Sequence, residues 1–388
     1  VSDLLIRNIG TIVSGDVRAP IADGDTIVVR DGVISSVGDP ASADGSGIAA
    51  VIDAAGATVT PGLCDDHTHP VLGDFTPRQL QVDFIDSYLH GGTTTMVSAG
   101  EPHAPGRPTD PAGVKALAIL ARKAFANLRP SGVKVHAGAV LLEPGLTEAD
   151  FREMAEAGVD LVGEIGISGV KDAAVAAEMT RWAQALGMRV MVHTGGASIP
   201  GSGIVGADFV VEVRPDVAGH VNGGPTALPL DHVERILAET SARVEIVHNG
   251  NVRAAGEVAA LVARRGELDR LVIGTDSPAG SGAQPLGMLR TVSWVSALGG
   301  VDAALAVAAA TGNVAALHGL NTGVIAVGSE ADLLVMDAPL GSQADDALGA
   351  LAIGDTPAVA SAIIDGVPRF TKSRNTPPPM RPVSASSG

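Results

Sequence analysis

His67 and His69 stand one residue apart in Val-Thr-Pro-Gly-Leu-Cys-Asp-Asp-His-Thr-His, at the end of a largely apolar run. On an extended segment alternate side chains point to the same side, so this spacing presents two imidazoles together. Two adjacent imidazoles make half of a divalent-metal site. Isolated pairs of this kind also occur on wet surfaces. This pair is not isolated: Glu164 in Val-Gly-Glu-Ile-Gly, His193 in Val-Met-Val-His-Thr-Gly-Gly, His220 in Ala-Gly-His-Val-Asn-Gly-Gly and Asp276 in Ile-Gly-Thr-Asp-Ser each end or interrupt a further apolar run. Taken singly, each histidine reads as a core or surface residue and Glu164 as an ion-pair partner. Their repeated placement at strand ends selects a metal centre.

The elements that must position these groups alternate. Strand-like runs at Thr58 to His69, Thr93 to Ala99, Val133 to Leu142, Asp160 to Ile167, Arg189 to Thr194, Val217 to Val221, Val244 to His248 and Leu271 to Thr275 are separated by helix-like segments such as Pro111 to Leu128, Lys171 to Leu186 and Leu230 to Thr240. Alternation of this length predicts an α/β fold, a (β/α)8 TIM barrel, whose active groups sit at the C-terminal ends of the strands. Both chain ends have a different texture. Short strands at Leu4 to Asn8, Thr11 to Val13, Thr26 to Arg30 and Val33 to Val37, with Asp31-Gly32 between the last two, are matched by Ala331 to Met336 and Ala362 to Ile364, followed by Asp365-Gly366. Asp-Gly between apolar runs marks a hairpin. The predicted organisation is a small β-sandwich from residues 1–57 and 323–374, a barrel over 58–322, and a Pro-rich tail, 375–388, that is extended or disordered.

Composition narrows the function. Hydrophobic residues make up 46% of the 388 and aromatics only 2%, so the interior is built from aliphatic side chains. No apolar stretch is long enough to span a bilayer, and the first residues lack the basic and apolar blocks of a secretory signal, which places the protein in the cytoplasm. The net charge of −17 argues against nucleic acid and anionic membranes as partners. A single cysteine, Cys64, excludes a multi-Cys zinc cluster. In an unbroken strand it alternates out of phase with His67 and His69, facing away from them. Gly195-Gly196 and Gly223-Gly224 fit no phosphate-loop pattern, so no nucleotide cofactor is expected; they are expected to bring backbone N–H groups near substrate.

In domain plan and motif order the chain resembles the amidohydrolase superfamily: His-x-His on strand one, a bridging ligand on strand four, histidines on five and six, aspartate on eight. Longer loop motifs resemble its enamide-hydrolysing branch, in Ser98-Ala-Gly-Glu-Pro-His-Ala-Pro-Gly-Arg-Pro108, His193-Thr-Gly-Gly-Ala-Ser-Ile-Pro-Gly-Ser202, His220-Val-Asn-Gly-Gly-Pro-Thr-Ala227, Thr311-Gly-Asn313 and Lys372-Ser-Arg-Asn-Thr-Pro377. Many relatives bridge two metals with a carboxylated lysine on strand four. Here Lys171 falls beyond that strand, and Glu164 occupies the position.

The resemblance implies two divalent ions, zinc and iron together or two zincs, with manganese also compatible with such ligands. It puts His67, His69 and Asp276 on one ion, His193 and His220 on the other, and Glu164 between them. It further implies opening of a cyclic amide by metal-activated hydroxide, with Asp276 moving protons, and as substrate 1,4,5,6-tetrahydro-6-oxonicotinate, released as 2-formylglutarate and ammonia. Rivals are another cyclic amide or imide hydrolase of dihydropyrimidinase or lactamase type, a mononuclear deaminase, and a non-enzymatic scaffold. Substrate contacts are expected from Arg78, His103, Arg107, Thr194, Asn222, His248 and Ser277, with a guanidinium gripping the substrate carboxylate. A homotetramer is the assembly the resemblance implies.

Overall fold

The computed structural model describes residues 3–38, 47–102, 104–196, 203–223, 226–279 and 281–387. Eight parallel strands occupy the middle of the chain: β1 (Leu63–Thr68), β2 (Thr93–Ser98), β3 (Lys134–His136), β4 (Leu161–Ile165), β5 (Arg189–His193), β6 (Val217–Gly219), β7 (Arg243–Val247) and β8 (Leu271–Gly274). They form a three-stranded sheet in the order β3-β2-β1 and a five-stranded sheet in the order β4-β5-β6-β7-β8. Parallel bridges Val140 to Val162 and Thr68 to Ser277 link these sheets at both edges. β1, β2, β4 and β8 are buried along their whole length, as parallel strands covered on both faces must be.

The intervening helices begin where the sequence supplies caps. Asp110, one residue before Pro111, accepts from the Gly113 N–H and opens helix Pro111–Asn127; Asp172 and Asn251 do the same for Ala173–Ala185 and Val252–Arg265. Each lays an apolar stripe on the strands. In helix Leu230–Glu239 the stripe is Val233, Ile236 and Leu237, and each such side chain taken from water contributes about 1.5–3 kcal/mol.

The chain ends build two mainly antiparallel sheets. One runs Ser384–Ser387, Ala50–Asp53, Leu4–Arg7, Ile27–Arg30, Val33–Val37; the other runs Val367–Phe370, Ala358–Ile364, Leu333–Asp337, Thr58–Pro61, Thr11–Val13, Ile21–Ala22. Leu4, Ile6, Ile27 and Ile52 from the first share a core with Ile12, Val59, Leu333 and Ile363 from the second. Both Asp-Gly turns carry positive φ at each residue, the form that matches strand twist in a two-residue hairpin.

Two expectations change. The run Thr58 to His69 is two strands in two different sheets, joined at Gly62, where a Cβ would lie 2.1 Å from Thr94 Oγ1 and could fit only if that side chain moved. The tail ends in an extended strand, Ser384–Ser387, paired antiparallel with Ala50–Asp53. Cys64 does not face away from the ligand side. Along β1 the partners go from Asp65 to Thr68 while β2 advances only from Met96 to Ser98, so β1 carries an extra residue and changes phase. Cys64 therefore clusters with Met191, two residues before His193 on the same face of β5, and with Val217 and Val272. Among the described residues no helix is long and apolar enough to cross a membrane.

Candidate metal centre

Six side chains meet at the C-terminal ends of β1, β4, β5, β6 and β8. His67, His69 and Asp276 form one group of potential ligands and Glu164, His193 and His220 another, the ligand atoms of each lying within 4.8 Å of one another. Glu164 connects them. Its Oε1 is 2.9 Å from His220 Nε2, 3.3 Å from His193 Nδ1 and 3.7 Å from His67 Nε2, while Oε2 is 3.8 Å from His69 Nε2. Asp276 Oδ1 lies 3.2 Å from His69 Nε2 and 3.6 Å from His67 Nε2. Five of the six are buried; Asp276, with 16% of its side chain exposed, is where the centre meets solvent.

Burial penalises the Glu164 charge, yet hydrogen bonds with His193 and His220 and the nearby His67 imidazole outweigh it and hold its carboxyl well below the usual range. Burial likewise opposes a charged His67, but Glu245 and Asp276 outweigh it and hold the imidazole well above its ordinary value. His193 is lowered by burial and by His220. Two site residues, His220 at φ +35° and Asp276 at φ +54°, sit in the left-handed region that side chains rarely adopt, a strain that collects at functional sites.

The residues suit a metal pair. Four imidazoles and two carboxylates are donors for zinc, iron or manganese. His67 Nε2 and Glu164 Oε2 are buried without a hydrogen-bond partner among the described residues, a costly arrangement that an ion would relieve.

The comparisons with known proteins agree with this geometry. The amidohydrolase family model matches residues 235–369. Enamidase of Eubacterium barkeri is 53% identical over 380 residues, covering 98% of both chains. The chain belongs to the amidohydrolase superfamily. The crystal structure of an enamidase, itself described as a new member of that superfamily, superposes with a TM-score of 0.96 over the full length of both chains at 53% identity. D-hydantoinase from Thermus sp., 20% identical, shares the fold with a TM-score of 0.67 over 96% of each chain. As an enamidase-like amidohydrolase with two clusters of metal-binding side chains, the protein has the α/β architecture of these relatives.

Within this amidohydrolase the other predicted site residues fall differently. Thr194 donates to Gly219 O at 2.8 Å, and Asn222 both donates to Val247 O and accepts from Val247 N, so these side chains tie strand ends together. Ser277 is fully buried, bonded to Tyr88 and, at 2.8 Å, to Thr275 Oγ1. Arg107 pairs with Glu143 at 2.8 Å, the structural alternative to gripping substrate. His248 stacks on Trp294 with ring centroids 4.9 Å apart, and burial pushes it down to about 4. Arg78 is exposed beside Gln79, whose side chain bonds Ala279 O three residues past Asp276. His103 lies outside the described residues. The N–H groups of Gly195, Gly196 and Gly223 are bonded to the carbonyls of Val205, Thr226 and His220; Gly224 lies outside the described residues.

Sequence reasoning missed Glu245. Its Oε2 accepts from the His220 N–H at 2.9 Å and lies 2.8 Å from His67 Nδ1, which fixes that ring with Nε2 toward the centre. Gly100 O does the same for His69 at 2.6 Å. The signal was a carboxylate in the buried strand Arg-Val-Glu-Ile-Val, which demands a partner.

Proposed function

We propose that this protein opens a cyclic amide, 1,4,5,6-tetrahydro-6-oxonicotinate, giving 2-formylglutarate and ammonia. The observation that supports it most is the placement of Glu164 between two histidine pairs, together with the likeness to enamidase over the whole chain. His67, His69 and Asp276 would hold one divalent ion and His193 and His220 the other, with Glu164 shared; zinc, iron or both fit these donors. When bound, the ions would acidify water and polarise the amide carbonyl.

The chain's own groups supply the rest. Asp276, the one ligand open to solvent, takes a proton as water adds to the ring carbonyl and returns it to the departing nitrogen. The C–N bond breaks to leave an enamine. That species tautomerises to an imine, and a second water replaces its nitrogen to release ammonia. With Arg107 committed to Glu143, Arg78 is the guanidinium left to meet a substrate carboxylate. We read β1 to β8 as one closed (β/α)8 barrel, since both edges of the two sheets are bridged, and place its joint with the terminal sandwich at Gly62; the barrel would run to 322, with the sandwich taking 323–374 and an extended tail from 375. A cytoplasmic homotetramer is the matching assembly, checked by light scattering.

The test is ammonia release from a panel of cyclic amides by metal-replete protein. The tetrahydro-oxonicotinate should be turned over, and its analogue lacking the carboxylate should lose about 2 kcal/mol in kcat/KM, a difference that Arg78→Ala erases. Faster turnover of dihydrouracil or hydantoin would replace this assignment with a dihydropyrimidinase-like one.

A further inference from the structure

A cavity of about 400 Å³ opens at the opposite ends of β5, β6 and β7 from the metal ligands. Arg189 is the first residue of β5, Arg243 the first of β7, and Arg214 and Asp216 lie just before β6. All four line the cavity, with Gln184 and Ser241. Three guanidiniums against one carboxylate leave a formal charge of +2 there, in a chain whose 43 acidic residues outnumber 26 basic ones.

The protein does not use up this charge. Asp216 is engaged by the Val190 N–H at 2.9 Å, by Gln184 at 3.2 Å and by Arg189 at 3.5 Å. Arg189 spends its Nε on Leu317 O at 2.7 Å and Arg243 one terminal nitrogen on Asn313 O at 2.8 Å, which leaves further donors on both forks. Arg214 is exposed and has no ion-pair or hydrogen-bond partner for its side chain among the described residues. Burial lowers Arg243 even though Asp66, Asp269 and Asp216 act to raise it. A partly desolvated guanidinium in that state gains from a further anion.

We propose that this cavity binds a small oxyanion, a dicarboxylate or a phosphate, between Arg189, Arg214 and Arg243, separately from the metal centre. Guanidinium forks match carboxylate and phosphate oxygens in pairs, and three converging forks select a dianion over chloride. Nothing in the reaction at the opposite end of the strands requires this site.

The experiment titrates metal-replete, full-length protein with glutarate and, separately, with inorganic phosphate, by calorimetry at constant ionic strength set with chloride. Arg214→Gln and Ser241→Asp are the variants; both positions are exposed, and circular dichroism verifies their fold. At least one probe should bind saturably at one per chain, with affinity falling at least about tenfold in each variant while kcat and KM stay unchanged. Binding of glutarate alone assigns a dicarboxylate, of phosphate alone a phosphorylated ligand, and of both a site selective for charge over shape. Failure of both probes to saturate overturns the proposal, as does binding undiminished in both variants, which would put the anion on the metal ions.

Discussion

The two halves of the metal centre use the same kind of ligand and hold it differently. His67 and His69 each have the second ring nitrogen engaged, by Glu245 and by the Gly100 carbonyl, so protein groups hold both rings in place. His193 Nε2 and His220 Nδ1 are buried with no such partner among the described residues; Glu164 bonds the other nitrogen of each ring, and the two rings pack edge to face 4.5 Å apart. One half is a preformed socket, and the other takes its shape from the carboxylate it shares. The ion on the His193 and His220 side should therefore be the one more easily lost.

The largest effect should come from removing what both halves share. Glu164→Ala is expected to lose at least one of two metals, by elemental analysis of a folded variant, and activity by at least about three powers of ten. Full occupancy in that variant would end the bridging assignment. Asp276→Asn should keep appreciable metal and lose kcat by roughly two to four powers of ten, the scale of general acid–base help; a metal-loaded variant with normal turnover would exclude proton transfer by this side chain.

Glu245→Gln tests the contrast directly. In the unaltered protein a chelator titration should release the ions in two steps, and the variant should weaken the tighter step by about 10 to 100-fold so that the steps merge. A single step in the unaltered protein would mean that the halves are equivalent after all. The smallest effect separates loss of metal from loss of fold. Burial, with His318, Arg122 and Lys134 nearby, pushes His136 at the base of the strands down to about 4. An unfolded chain takes a proton there near pH 6.5, so this group's stabilisation is complete above that value and is lost as pH falls towards 4. The loss is at most about 3 kcal/mol, less in so far as solvent reaches the ring. His136→Asn should flatten the fall in Tm over that interval and leave the pH dependence of metal release unchanged.

What the sequence made legible follows from periodicity. Arg189 to Thr194 and Leu271 to Thr275 are short, apolar in their interiors and end in polar residues, so strand, direction and the ligand at or near the end were visible within a few positions. The hydrogen-bond partners of the candidate substrate contacts were not. Thr194, Asn222 and Ser277 sit at the right strand ends, but a hydroxyl or amide can turn to a neighbouring carbonyl as readily as to a ligand, and one-dimensional spacing carries no side-chain direction. Cys64 shows the same limit: two residues of β2 against three of β1 shift the phase, and no local pattern announces it. Glu245 was hidden because its partners, His67 and the His220 N–H, lie 178 and 25 residues away.

Gly62 has a mechanical consequence. A single run of chain leaves the terminal sheet at Pro61, turns at a residue where a Cβ would crowd Thr94, and five residues later becomes the first metal ligand. Tension in that sheet passes straight into the ligand strand, with no slack loop to absorb it. A shift of the terminal sheet would reach His67 across this short connection.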